Sequence, residues 1–160
     1  TNLLLPYLKD NGRVVSVSSK LGGLTYQSKE VADEFSDPEF NTTDFTAVEE
    51  YIALCEEGDV GKWSKSVYGT SKMMLNAWSR FVLKRKLKPT QSTIVMSPGH
   101  CVTDMGGPEA AHSAESGAQT NMTAFSFQIH QLKYSITEDN NINLSIVVHD
   151  KLDLLKKNVK

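Results

Sequence analysis

The sequence is short of cysteine, of charge of one sign and of long apolar runs, and each shortage removes a class of protein. Two cysteines in 160 residues cannot build a disulfide framework. Cys55 and Cys101 stand in unrelated contexts without C-x-x-C or Cys/His ligand spacing, so a reduced, cytosolic chain with no metal site is expected. Seventeen basic residues against nineteen acidic ones leave a formal net charge of -2, without the basic excess of a nucleic-acid-binding domain. The apolar run Leu3-Leu4-Leu5 meets Pro6, Lys9 and Asp10 at once, which argues against both a signal peptide and a membrane helix. There is also no initiating methionine: the chain opens at Thr1, which reads as a start in the middle of a fold.

With 39% hydrophobic and 22% charged residues, the length and composition suit one soluble globular domain. Arg13 to Ser19 (RVVSVSS), entered through Asp10-Asn11-Gly12, has the β-branched character of a buried strand after a tight turn. Ser92 to Ser97 (STIVMS) is a second such run, stopped by Pro98-Gly99. Between them Val67 to Lys88 reads as an amphipathic helix, with Ser71, Met74, Leu75, Trp78, Phe81 and Val82 on one face and Pro89 closing it. The basic residues of its last turns, Arg80, Lys84, Arg85, Lys86 and Lys88, complement the negative end of the helix dipole. Strand, helical crossover and strand make a β-α-β unit, so the fold class is α/β with a parallel sheet.

The crossover is longer than one helix requires. Residues 30–59 carry eleven acidic side chains and neither lysine nor arginine, and Phe45, Val48, Tyr51, Ile52 and Cys55 recur at helical spacing. An acidic helical insertion over residues 30–63 is expected, started by Asp44 or by Thr42 or Thr43, solvated and lid-like, with docking of a basic partner as its functional alternative. Residues 121–160 form a divergent tail: no clean period over 121–135, a polar turn at Glu138 to Asn143, a possible strand over Asn143 to Val148, and a short charged helix over 150–160.

Tyr68 and Lys72 in YGTSK are four residues apart, so a phenol and an ammonium share one side of a helical turn. Ser18-Ser19 closes the first strand, and Pro98-Gly99 closes the second with Thr103-Asp104 just beyond. The carboxyl ends of parallel strands are where open α/β sheets bind ligands, so these groups should converge on one crevice. In this order, GRVVSVSS, YGTSK and SPGHCVTDM resemble the short-chain dehydrogenases/reductases, and most closely their carbonyl-reductase-like branch, over about residues 1–120.

The resemblance implies a partial Rossmann-like, doubly wound parallel sheet lacking the N-terminal nucleotide-binding half. It implies NADPH-dependent reduction of an aldehyde or ketone in the full-length parent, with NADH as the alternative cofactor. Ser19 would hold the carbonyl oxygen, with Ser18 the neighbour that could be confused with it. Tyr68 would give its proton to that oxygen, and Lys72 would assist the phenol and bind the nicotinamide ribose. A cation beside a phenol favours the phenolate, and an ordinary tyrosine titrates near ~10, so the pairing suits a proton donor working nearer neutrality. Pro98, Gly99, Cys101, Val102 and Thr103 would line the nicotinamide and nearby phosphate, and Gly106-Gly107-Pro108 would open the mobile substrate loop. The insertion implies a monomer, since in that branch it covers the surface used for pairing. No partner beyond a small carbonyl substrate is implied, and neither a nucleic acid nor a membrane. No Gly-rich turn to cradle a pyrophosphate occurs in the sequence. The rival readings are therefore a truncated, non-catalytic pseudoenzyme and an interaction module built on the acidic insertion.

Overall fold

The structure is a computed structural model and describes residues 3–37 and 46–126. Its centre is a parallel pair of strands, β1 (Arg13–Val17) and β2 (Ser92–Met96), in register from Arg13 opposite Ser92 to Val17 opposite Met96. The turn ahead of β1 is built as its residues require: Asn11 takes a left-handed φ of 62°, and the Gly12 N–H donates to the Lys9 carbonyl at 2.9 Å. The ladder runs one residue past each end, with Ser92 N–H on Gly12 O (3.1 Å) and Ser18 N–H on Met96 O (2.7 Å).

Beyond β1 the chain forms α1 (Lys29–Ser36), α2 (Thr46–Glu57) and α3 (Val67–Ala77), and after β2 it forms α4 (Ala114–Ser126). The sheet is covered on both faces. On one, Val15, Ile94 and Met96 pack with Ala124 of α4. On the other, Ser79 Oγ, just past α3, donates to Ser16 Oγ at 3.3 Å. Arg13 ties the layers: Nε donates to Ser92 Oγ (3.0 Å) and Nη1 to the Ala124 carbonyl (2.7 Å). This is the expected α/β arrangement with one correction. β1 is half-buried, and Val17 is 47% exposed, because among the described residues β1 has a neighbouring strand on one side only.

The helix expected over Val67 to Lys88 is present, but its geometry changes midway. α3 starts at Ser66, whose Oγ accepts from the Gly69 N–H at 3.1 Å, and continues through a π-helical stretch (Trp78–Leu83) into a last turn (Lys84–Lys86). Its buried face holds Gly69, Thr70, Met73, Met74 and Ala77, followed by Ser79, Phe81, Val82 and Leu83. The expected stripe is thus offset: Ser71 is exposed, and Leu75 and Trp78 are only half-buried. Small residues, Gly69, Thr70, Ala77 and Ser79, share the buried face with the large apolar ones.

The acidic insertion is helical but more than a solvated lid. α1 is capped by Ser28, whose Oγ accepts from Val31 N–H at 3.3 Å. Val31 and Phe35 of α1 and Tyr51 of α2 join Trp63 and the Met73, Met74, Ala77 and Phe81 side of the long helix in one core. The Trp63 ring lies 5.8 Å from Phe35 and 5.6 Å from Tyr51, both within the range of favourable tilted aromatic contacts. Glu30, Asp33, Glu49, Glu50, Glu56, Glu57 and Asp59 face solvent, so the acidity belongs to the outer faces. Asp44, Thr42, Thr43 and Phe45 lie outside the described residues, as does the tail beyond 126. α4 runs through the 120/121 boundary between body and tail, so the first residues of the stretch 121–135, which showed no clean period, are helical as far as Ser126. No helix among the described residues is long and apolar enough to cross a membrane.

Two predictions follow the aromatic core. Trp63→Ala should cost about 3–5 kcal/mol, read as a fall in the denaturant midpoint, because it removes the ring that joins α1 to α2. Burial, above all, holds the Tyr51 phenol above its usual range, and the hydrogen bond from Lys62 to Glu34 (2.8 Å) raises that ammonium. Folding thus favours the neutral phenol and the charged amine. Stability from Tyr51 declines once pH passes the unfolded tyrosine value near ~10, and that from Lys62 is lost as pH rises through its folded value. The thermal midpoint should fall above about pH 10, and Tyr51→Phe should flatten that fall.

Candidate functional site

The two serines after β1 do different work. Ser18 is 5% exposed and its Oγ donates to the Lys72 carbonyl at 3.3 Å, so it is a structural tie between strand end and helix. Ser19 is half-buried and caps the short turn Lys20–Gly22, its Oγ accepting from Leu21 N–H at 3.2 Å. Accepting that bond leaves the Ser19 proton to be donated elsewhere. The two hydroxyls thus differ in what they hold: Ser18 ties the strand end to the helix, and Ser19 caps the turn.

The turn is pressed against α3. A Cβ built on Gly22 would lie 2.8 Å from the Lys72 carbonyl carbon and 2.9 Å from Met73 N, so only glycine lets the two backbones meet. Gly69 answers from the helix side: a Cβ there would lie 3.0 Å from Leu21 O. The Asn76 amide donates to Gly22 O at 2.9 Å and fixes the far end of the turn. One helix therefore carries Tyr68 and Lys72 and receives the Ser19 turn.

Tyr68 sits in the first turn of α3 and is 50% exposed. The Lys72 ammonium donates to the Val17 carbonyl at 3.1 Å and lies 5.7 Å from the centre of the Tyr68 ring. It is thereby held at the carboxyl end of β1, beside the phenol. Ser18 N–H on Met96 O places the end of β2 next to the serine pair, so Pro98 and Gly99 leave the sheet at the same edge. Ser19, Tyr68, Lys72 and the start of the Pro98-Gly99 loop are brought to one edge of the sheet.

The loop after β2 is bonded mostly to itself. Gly99 has φ 84° and a Cβ on it would meet the His112 ring at 2.7 Å, while the Cys101 thiol points at Pro98 O (3.4 Å). Val102 and Thr103 are exposed, but the Thr103 hydroxyl donates to Cys101 O (3.4 Å) and accepts from Gly106 N–H (3.1 Å). A ligand that used this hydroxyl would compete with the loop's own turn. Gly107 N–H on Thr103 O (2.9 Å) closes the same turn, so Gly106-Gly107 begins as a compact bend. His100 and His112, which lack ligand spacing and read from sequence as surface or loop residues, lie in this loop and bond within it.

No protein-family model matches the chain. It is 35% identical over 127 residues to carbonyl reductase (NADPH) 1 of Sus scrofa and 34% identical to that of Rattus norvegicus. The aligned stretch is 73% of this chain and 44% and 46% of those proteins. The fold superposes on salutaridine reductase from Papaver somniferum with a TM-score of 0.66 and 28% identity, over 80% of this chain and 46% of that one. The chain spans less than half the length of these relatives.

Gly22→Ala should force the Ser19 turn off α3 and lower stability by about 1–3 kcal/mol, the usual cost of overpacking a tight contact. Gly23→Ala is the control for denaturant unfolding, since the nearest atom to a Cβ there is 3.3 Å away.

Proposed function

Over part of its length the chain is related to the carbonyl reductases of the short-chain dehydrogenase/reductase family, and on that footing we propose that it carries the catalytic face of an NADPH-dependent reductase of aldehydes or ketones. The observation that carries the reading is the Lys72 ammonium, anchored on the Val17 carbonyl beside the Tyr68 phenol, on the helix that receives the Ser19 turn.

The residues at the nicotinamide end fit the cofactor. They supply an exposed phenol, an ammonium at a strand end, and the Pro98-Gly99 backbone leaving the same edge. Hydride is what a reduced nicotinamide supplies when bound. Ser19 donates a hydrogen bond to the substrate oxygen and orients the carbonyl. As the C–H bond forms and the C=O π bond breaks, Tyr68 passes its proton to that oxygen, and the alcohol results. The phenolate left behind is stabilised by Lys72, which also has donors for ribose hydroxyls. Cys101, Val102 and Thr103, in the loop that follows, would line the nicotinamide end. The pyrophosphate end has no counterpart here, as no G-x-G-x-x-G turn occurs in the 160 residues. NADPH enters this reading from the similarity to carbonyl reductase (NADPH) 1, and NADH is the alternative.

The same reading makes the protein a monomer, with α1 and α2 lying over α3. The second reading, an interaction module, draws on an open apolar groove of about 660 Å³ between α2 and α3, lined by Val48, Ile52, Leu75 and Trp78 among others.

NADPH titrated into the 160-residue chain should raise its melting temperature, and loss of NADPH absorbance with an aromatic aldehyde should report turnover. Tyr68→Phe should reduce turnover by about 10²–10⁴-fold with binding retained, the range for loss of a general acid. Absence of both a melting shift and turnover would defeat the enzyme reading for this chain and favour the interaction module.

A further inference from the structure

Between β2 and α4 the chain has no helix or long strand, yet it is bonded at two levels. At the base, His112 N–H donates to His100 O (3.0 Å) and Val102 N–H to His112 O (2.8 Å), closing an excursion over residues 102–111. At the tip, Thr103, Gly106 and Gly107 form the turn already described, with Gly107 at φ 74°. The tip folds back until the Gly106 backbone meets the Cys101 carbonyl so closely that no Cβ would fit. Two side chains join base and tip: the Thr103 hydroxyl, through Cys101 O and Gly106 N–H, and His100, which reaches across from outside the turn to place Nε2 2.9 Å from Gly106 O. A carbonyl only accepts, so in this contact Nε2 carries the proton.

Glycines 99, 106 and 107 make this backbone costly to order, since glycine loses the most conformational freedom on folding. A side-chain bond between base and tip offsets that cost where backbone bonds alone act only within each level. We propose that His100 is a positioning residue: its Nε2–H bond to the Gly106 carbonyl latches the loop tip onto its base and so sets the backbone of Cys101 to Thr103. Its relevance to catalysis rests on the cofactor reading above; the latch itself does not. The latch requires of His100 neither ligand binding nor proton transfer.

The test compares the full wild-type chain with His100→Ala, His100→Phe and His100→Gln by amide hydrogen exchange. Phenylalanine keeps a ring without a donor, and glutamine places an amide donor at similar reach. Amides of Val102, Gly106 and Gly107 should exchange about three- to tenfold faster in the Ala and Phe variants, as expected for loss of one hydrogen bond. Glutamine should restore the wild-type rate, and amides of β1, β2 and α3 should not change. Unaltered exchange in the Ala and Phe variants, or equal acceleration throughout the chain, would overturn the latch. Failure of glutamine to rescue would also overturn it, because the donor would then not be what matters. Repeating the exchange with NADPH separates the two claims. If the variants loosen the loop but NADPH protects it in no form, the latch stands and the cofactor reading falls.

Discussion

The candidate site depends on one close approach, that of the Ser19–Gly22 turn to the backbone of α3 at Lys72 and Met73. It is a steric constraint before it is an attraction: two main chains can lie this near only where a side chain is missing, and Gly22 and Gly69 supply that absence from either side. Once they meet, several polar groups are satisfied together. Ser18 finds the Lys72 carbonyl, Asn76 finds the Gly22 carbonyl, and Ser19 is left at the open side of the turn. The geometry of the candidate site thus follows from packing, which commits Ser18 to α3 and leaves Ser19 half-buried as the cap of its own turn.

The acidic insertion supports the same helix from behind. Phe35, Tyr51 and Trp63 pack against the Met73, Met74 and Phe81 side of the long helix, while the turn that carries Ser19 meets it at Gly69, Lys72 and Met73. α3 therefore rests on two neighbouring contacts, an aromatic cluster and a glycine approach, that share Met73. The outer acids affect solubility and long-range field more than fold, whereas the few apolar residues facing inward determine where α3 sits. Lys62 links the two regimes, reaching Glu34 at 2.8 Å while lying 5.5 Å from the Trp63 ring centre.

Much of this was legible in the sequence because it depends on local chemistry. The β-branched runs ended by Ser18-Ser19 and Pro98-Gly99, the turn at Asn11-Gly12, the helix from Val67 and the four-residue spacing of Tyr68 and Lys72 all carry their physics within a few residues. What was not legible depends on contacts between distant segments. The buried face of the helix was read only in part: Met74, Phe81 and Val82 are buried as expected, but hydrophobic periodicity also weights Leu75 and Trp78 and overlooks the small residues Gly69, Thr70 and Ala77. The π-helical stretch from Trp78 adds to the offset, since a wider turn changes which residues follow on a face. The depth to which Val31 and Phe35 are buried was hidden by the acids around them. The histidine-bonded loop left no pattern, because its partners are backbone carbonyls, which every residue has.

The Lys72 ammonium, too, is held by a main-chain oxygen, that of Val17. No substitution at residue 17 can delete that acceptor, so the arrangement tolerates wide change in side-chain identity there. Its weakness is geometric. Carbonyls along a strand point alternately to either side, and a slip of one residue in the pairing of Val17 with Met96 would move the acceptor away while leaving every amino acid in place. The ammonium's location is therefore stored in strand register, and its hereditary safeguard lies in the side chains of Val15, Ile94 and Met96 that fix the register beneath it.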